Sequence, residues 1–96
     1  MTPRWAPSSE KHGVPRDDQV HVLLHPTYVS RFGGSMTEDG MVVLYIGHPH
    51  GQTEREVEIL VRHFPAGREA LIFHAMPLGP KYRRYREEHP DDRHDG

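Results

Sequence analysis

The run Met41-Val42-Val43-Leu44-Tyr45-Ile46 does most to restrict what this chain can become. It is continuously apolar, rich in valine, and fenced by turn signals, Thr37-Glu38-Asp39-Gly40 ahead and Gly47-His48-Pro49-His50-Gly51 behind. A run that short and that apolar reads as a buried strand, and a buried strand needs neighbours. The chain offers them. Tyr28, Val29 and Phe32 suggest a short strand upstream. Downstream, Val57, Ile59 and Val61 alternate with Glu58 and Arg62. After the Pro65-Ala66-Gly67 turn, Ala70 to Met76 forms a further, largely apolar strand. Strands joined by short turns pair antiparallel.

Such a sheet must bury a face against something else. Lys11-His12-Gly13-Val14-Pro15 reads as a turn entering a helix, with Pro15 tolerated in the first helical turn and Asp17 and Asp18 placed where a helix N-terminus favours negative charge. Val20, Leu23 and Leu24 recur at helical spacing, and Pro26 stops the helix, so it spans about Pro15 to His25. A second, basic helix is expected over Lys81 to Glu88. The sequence therefore predicts an α+β fold. An antiparallel sheet of three to four strands carries an N-terminal helix packed on one face, and a short basic helix closes the chain. Residues 11–88 form the single domain. Residues 1–10 are expected to be a loose proline-rich segment, tacked down by its one large apolar residue, Trp5, and residues 89–96 a disordered acidic tail.

Composition narrows the function classes. The 96 residues contain no cysteine, so disulfides and cysteine-based zinc sites are excluded. No apolar run approaches the roughly 18 residues that span a bilayer, and the opening MTPRWAPSSEKHG lacks the apolar core of a secretory signal. A cytoplasmic protein with no membrane association is the expectation. Net charge is −2, but its distribution is uneven. Lys81, Arg83, Arg84 and Arg86 are followed by Glu87, Glu88, Asp91, Asp92 and Asp95. This is either a solvated helix with a disordered end or a cationic surface for phosphates or an acidic partner.

Nine histidines are unusual in a chain this size, and imidazole is the side chain suited to proton transfer near neutrality. His21 and His25 share a helix face at i, i+4. His48 and His50 flank Pro49 in a loop, where a transition metal would still need a third ligand. His63 and His74 fall on adjacent strands, but counting outward from the turn offsets them. The most distinctive stretch is His74-Ala75-Met76-Pro77-Leu78-Gly79-Pro80-Lys81-Tyr82-Arg83-Arg84-Tyr85, a strand that turns into a helix of interleaved aromatic and basic residues. Arginine and lysine clamp phosphate oxygens, and tyrosine stacks on a base or donates a hydrogen bond. Metal-independent RNA cleavage needs a base for the 2′-hydroxyl proton, cations for the charged phosphorus, and an acid for the leaving oxygen. Lys11, His12, His74 and Arg83 are the candidate catalytic residues; Lys81, Arg84, Tyr82 and Tyr85 are the candidate substrate contacts. No metal or other cofactor is called for.

Trp5-Ala6-Pro7, Lys11-His12-Gly13-Val14, and a helix ending Leu24-His25-Pro26 resemble the opening of the BrnT-like toxins of bacterial type II toxin–antitoxin systems. The later strands and the Lys81-Tyr82-Arg83-Arg84-Tyr85 helix follow that family's layout, so the resemblance covers roughly residues 5 to 88, in a divergent form like an actinobacterial branch. The family usually reads Ser-Ala-Arg where this chain has His74-Ala75-Met76, and a glutamate where it has Lys81-Tyr82. The resemblance implies a RelE-like ribonuclease fold, an endoribonuclease acting on RNA, and a neutralising antitoxin of ribbon-helix-helix or similar DNA-binding type, with homo-oligomerisation open. The alternative is a non-catalytic partner-binding module that uses its basic C-terminal helix. A histidine-based metal protein using His48 and His50 is the third possibility.

Overall fold

A computed structural model describes residues 3–33 and 37–90; the expected acidic tail lies, from residue 91 on, outside them. The elements are β1 (Arg4–Trp5), a 3-10 turn (Pro7–Glu10), α1 (Arg16–Leu24), β2 (Pro26–Phe32), β3 (Met41–Gly47), β4 (Val57–His63), β5 (Leu71–Pro77) and α2 (Pro80–Glu88). They form an α+β domain around one sheet with strand order β1-β5-β4-β3-β2.

Three features differ from the sequence expectation. The sheet has five strands rather than three or four, and it is mixed rather than antiparallel, because β1 pairs parallel to β5. Residues expected to be loose supply that strand: the Arg4 N–H donates to the Ala70 carbonyl at 2.9 Å and the Ala6 N–H to the Ile72 carbonyl at 2.8 Å. Two residues carry no readable period, so nothing in the sequence marks this strand. Finally, the two helices cover opposite faces. Val22 and Leu23 of α1 pack with Val57, Ile59, Val61, Ile72 and Ala75. Tyr82 and Tyr85 of α2 pack on the other side with Tyr28, Leu44, Ile46 and Leu60. The unbroken apolar run of β3 follows, since a strand buried on both faces has no polar alternation. Its residues Leu44 and Ile46 are fully buried.

The helix α1 buries a different set from the one its apolar spacing suggests. Gln19 and Val22 are fully buried, while Leu24 is 70% exposed. Gln19 accepts from Trp5 Nε1 at 3.0 Å and donates to the carbonyls of Val14 at 2.9 Å and Ser9 at 3.3 Å. A buried amide is tolerated only when its donors and acceptor are met, and here meeting them fastens the N-terminal segment to the helix. The Arg16 guanidinium covers the outer face of the Trp5 ring at 4.8 Å. The turn from His12 into α1 passes through Gly13 at φ +73°, where side chains are rarely accommodated. Among the described residues no helix is long and apolar enough to cross a membrane.

Candidate active site

The chemistry gathers around a bulge in β5. Leu60 of β4 lies opposite His74, and the next residue, Val61, lies opposite Ile72, so Phe73 is the extra residue. The bulge breaks the two-residue alternation. Ile72 and Ala75 both enter the core under α1, while Phe73 packs on the α2 side. His74, opposite Leu60, joins that side. The 3-10 turn seals the bulge from the sheet edge, with the Ser8 hydroxyl donating to the Phe73 carbonyl at 2.6 Å.

His74 meets a buried carboxylate there. Its Nε2 lies 2.7 Å from Oε2 of Glu58, whose side chain is 4% exposed. The other oxygen, Oε1, accepts from the Gly79 N–H at 2.9 Å, at the N-cap of α2. One buried side chain thus orients the imidazole and secures the start of the helix that carries Arg83. A carboxylate oxygen accepts, so Nε2 of His74 bears the hydrogen and Nδ1 keeps its lone pair when the ring is neutral. His12 comes in from the N-terminal turn, its ring edge-to-face with that of His74 at 5.9 Å between centroids.

Beside this pair a cleft of about 620 Å³ opens at the end of the sheet. His12 and Arg83 stand in its wall, with Asp18 from α1 and Pro77 and Leu78 from the β5–α2 link. His74 does not line the cleft itself; it meets His12 edge-to-face and keeps a quarter of its side chain exposed. Of the four residues expected to be catalytic, His12 and Arg83 line this cleft and His74 contacts His12 beside it. Lys11 is exposed on the same turn as His12. Arg83 also donates to the Leu78 carbonyl at 3.4 Å.

The expected substrate contacts divide. Lys81 and Arg84 are exposed on α2. Tyr82 and Tyr85 face inward: Tyr82 stacks on Phe32 at 6.1 Å, Tyr85 meets Phe32 edge-on at 5.2 Å, and the Tyr85 hydroxyl bonds Ser30 at 2.9 Å. Spacing alone could not separate the two roles, because tyrosines three apart on a helix suit a core as well as a binding surface. Arg86 is likewise committed, gripping Glu56 with bonds of 2.6 and 3.2 Å. That grip holds the Glu56 carboxyl below the usual carboxylate range and raises Arg86.

The other described histidines have structural partners. His21 Nδ1 bonds the His48 carbonyl at 2.9 Å and its ring lies 4.9 Å from that of His25. His48 Nδ1 bonds the Arg55 carbonyl at 2.7 Å, and His50 Nδ1 accepts from the Gln52 N–H at 3.3 Å. Among the described residues no three histidine, aspartate or glutamate side chains are grouped to hold one ion. His63 lies opposite Met41 and is offset from His74, as the turn counting implied. Its Nε2 is 2.9 Å from the Tyr45 hydroxyl.

No known family model, curated protein or solved structure matches this chain.

Sequence reasoning missed Glu58, the residue that organises the site. It was visible only as the polar half of an alternation. A carboxylate within a strand whose next three residues, Ile59, Leu60 and Val61, are all apolar is the signal that marks it, because a strand buried on both faces keeps an acid only where donors meet it.

Proposed function

We propose that this chain is a metal-independent endoribonuclease, the toxin of a type II toxin–antitoxin pair, with a RelE-like fold of the BrnT kind. The observation that carries the reading is the contact of His12 with His74, backed by Glu58, at a cleft that Arg83 also lines. Two imidazoles supply both halves of the proton traffic. His74, with its lone pair on Nδ1, takes the 2′-hydroxyl proton; His12 protonates the leaving oxygen; Arg83 offsets the charge that builds on phosphorus. The exposed Lys11, Lys81 and Arg84 hold flanking phosphates. Tyr82 and Tyr85 anchor α2 and leave base stacking to other groups. The partners are RNA and, in the cytoplasm, a cognate DNA-binding antitoxin.

Induction in a bacterial host is expected to arrest growth, and purified protein to cut RNA in the presence of a chelator. His12→Ala and His74→Ala should each lower cleavage by about 100-fold or more and relieve the arrest. Harmless expression together with intact RNA removes the enzyme. The exposure of Lys81 and Arg84 favours a second reading, a binding module built on α2. In that case Lys81→Ala with Arg84→Ala weakens RNA or partner binding, while His74→Ala changes nothing.

A further inference from the structure

The opposite face of the sheet carries a second group of polar side chains that the ribonuclease reading does not use. With nine residues, α1 covers only part of its face. Toward β2 the sheet is open, forming a groove of about 620 Å³. Val29, Met41, Val43 and Phe64 give it apolar walls, and Arg31, Tyr45 and His63 are its polar groups. A smaller hollow of about 230 Å³ adjoins it beneath Val20, Leu23 and Leu24, and Tyr45 and His63 line both spaces.

The register shows how the polar pair is arranged. Tyr45 lies opposite Ile59 and His63 opposite Met41, so their 2.9 Å bond reaches across the Val43–Val61 pair between them. Arg31 is exposed beside the two, and among the described residues no carboxylate forms an ion pair with it. A second guanidinium, that of Arg68, stacks on the Phe64 ring at 4.1 Å. The groove is therefore cationic at its rim and apolar along its floor. Concave, mostly apolar surfaces with a few convergent polar groups suit small organic ligands, and a guanidinium fork fits a carboxylate in particular.

We propose that this groove binds a small carboxylate with a flat apolar body, the carboxylate on Arg31 and the Tyr45–His63 pair and the body against Val29, Val43 and Phe64. The site is independent of the ribonuclease reading and stands or falls separately from it. Burial, and secondarily Arg31, hold His63 below the usual imidazole range. The groups facing it are Tyr45 and Arg31 with the apolar Met41, Val61, Val20, Leu23 and Leu24. An anion seated beside it would reverse that shift, which gives the binding its own signature.

The test is an NMR titration of the full chain with phenylacetate, with 2-phenylethanol and acetate as the neutral and body-less controls. Phenylacetate should move the Val29, Val43, Tyr45 and His63 resonances and raise the His63 titration midpoint. The two controls should bind about tenfold more weakly or less, and Arg31→Gln, on the exposed surface, should weaken phenylacetate by about tenfold while its spectrum stays dispersed. No localised shifts at millimolar phenylacetate, equal response to 2-phenylethanol, an unchanged affinity in Arg31→Gln, or shifts centred on His12 and His74 would each overturn the proposal.

Discussion

His63 on β4 and His74 on β5 are built alike. Each bonds through Nε2 to a side chain of the strand before it, His63 to the Tyr45 hydroxyl at 2.9 Å and His74 to the Glu58 carboxylate at 2.7 Å. They stand on opposite faces of the sheet and their partners differ in kind. Tyr45 is a phenol that can donate or accept, next to the cation of Arg31, and burial raises its own ionisation above the ordinary range. Glu58 accepts only, is more deeply buried, and spends its second oxygen on the backbone of α2. The same kind of Nε2 bond to the preceding strand thus accompanies one imidazole whose cation is discouraged and another whose tautomer is fixed. The surroundings of each pair assign the role: burial and Arg31 for His63, an acceptor-only carboxylate for His74.

The sharpest way to break this contrast is to remove each partner. Glu58→Ala empties a buried site and strands the partly buried His74 imidazole and Gly79 N–H, and should lower unfolding free energy by about 3 kcal/mol in a urea titration. Tyr45→Phe gives up one hydrogen bond at a partly open groove and should cost about 1 kcal/mol. Equal losses would mean that the two pairs are energetically the same. Glu58→Gln separates orientation from packing. Its amide oxygen can still accept from Gly79, but the nitrogen then presented to His74 is a donor, which forces the hydrogen onto Nδ1. Imidazole ¹⁵N shifts should report the exchanged tautomer, and RNA cleavage should fall by about 100-fold with little change in stability. An unchanged ¹⁵N pattern would show that Glu58 does not set the tautomer.

How far the sequence foretold this arrangement depended on whether a residue's role is local. Gly13 and Pro15 mark the entry to α1, Pro26 its end, and the Thr37–Gly40 turn the start of β3; all act through backbone conformation and were readable. Gly40 shows the limit even there. It has φ +93°, and a Cβ would also lie 2.7 Å from the His63 carbonyl, a clash only the paired strands create. The meeting of His12 with His74 joins residues 62 positions apart through a two-residue strand and a bulge, neither of which leaves a periodic trace. Leu24 and Gln19 traded expected places because the amide of Gln19 is satisfied by the local Val14 carbonyl and by Trp5 and Ser9, which reach it only once the N-terminal segment has docked.

The pH response gives a subtler comparison. Burial and Arg31 lower the folded-state pKa of His63 below its unfolded value near 6.5. The unfolded chain then binds the proton more readily, so stability rises with pH through this window. The contribution is complete above the unfolded value and is lost as pH falls toward the folded one. An NMR titration should place the His63 midpoint below the usual range, and Tyr45→Phe, which leaves both causes in place, should keep it low. A midpoint at or above the ordinary value would show that a negative group dominates this face.

The smallest effect concerns the Glu56–Arg86 grip at the foot of α2. The guanidinium lowers the Glu56 carboxyl, so the pair stabilises the fold above the unfolded carboxylate value and fades as pH falls through the lowered one. Both side chains keep a quarter or more of their surface in water, which limits the gain to about 1 kcal/mol despite the two bonds. Arg86→Gln should therefore cost about that much at pH 7 and much less near pH 3, read from paired urea titrations. Its effect on RNA cleavage tests whether α2 is held by one tether or two. With Glu58 still bonded to Gly79, the start of the helix and Arg83 should stay in place, and cleavage should change by less than about tenfold. A loss as large as that of Glu58→Gln would mean that the far end of α2, and not its first turn, positions the cation at the cleft.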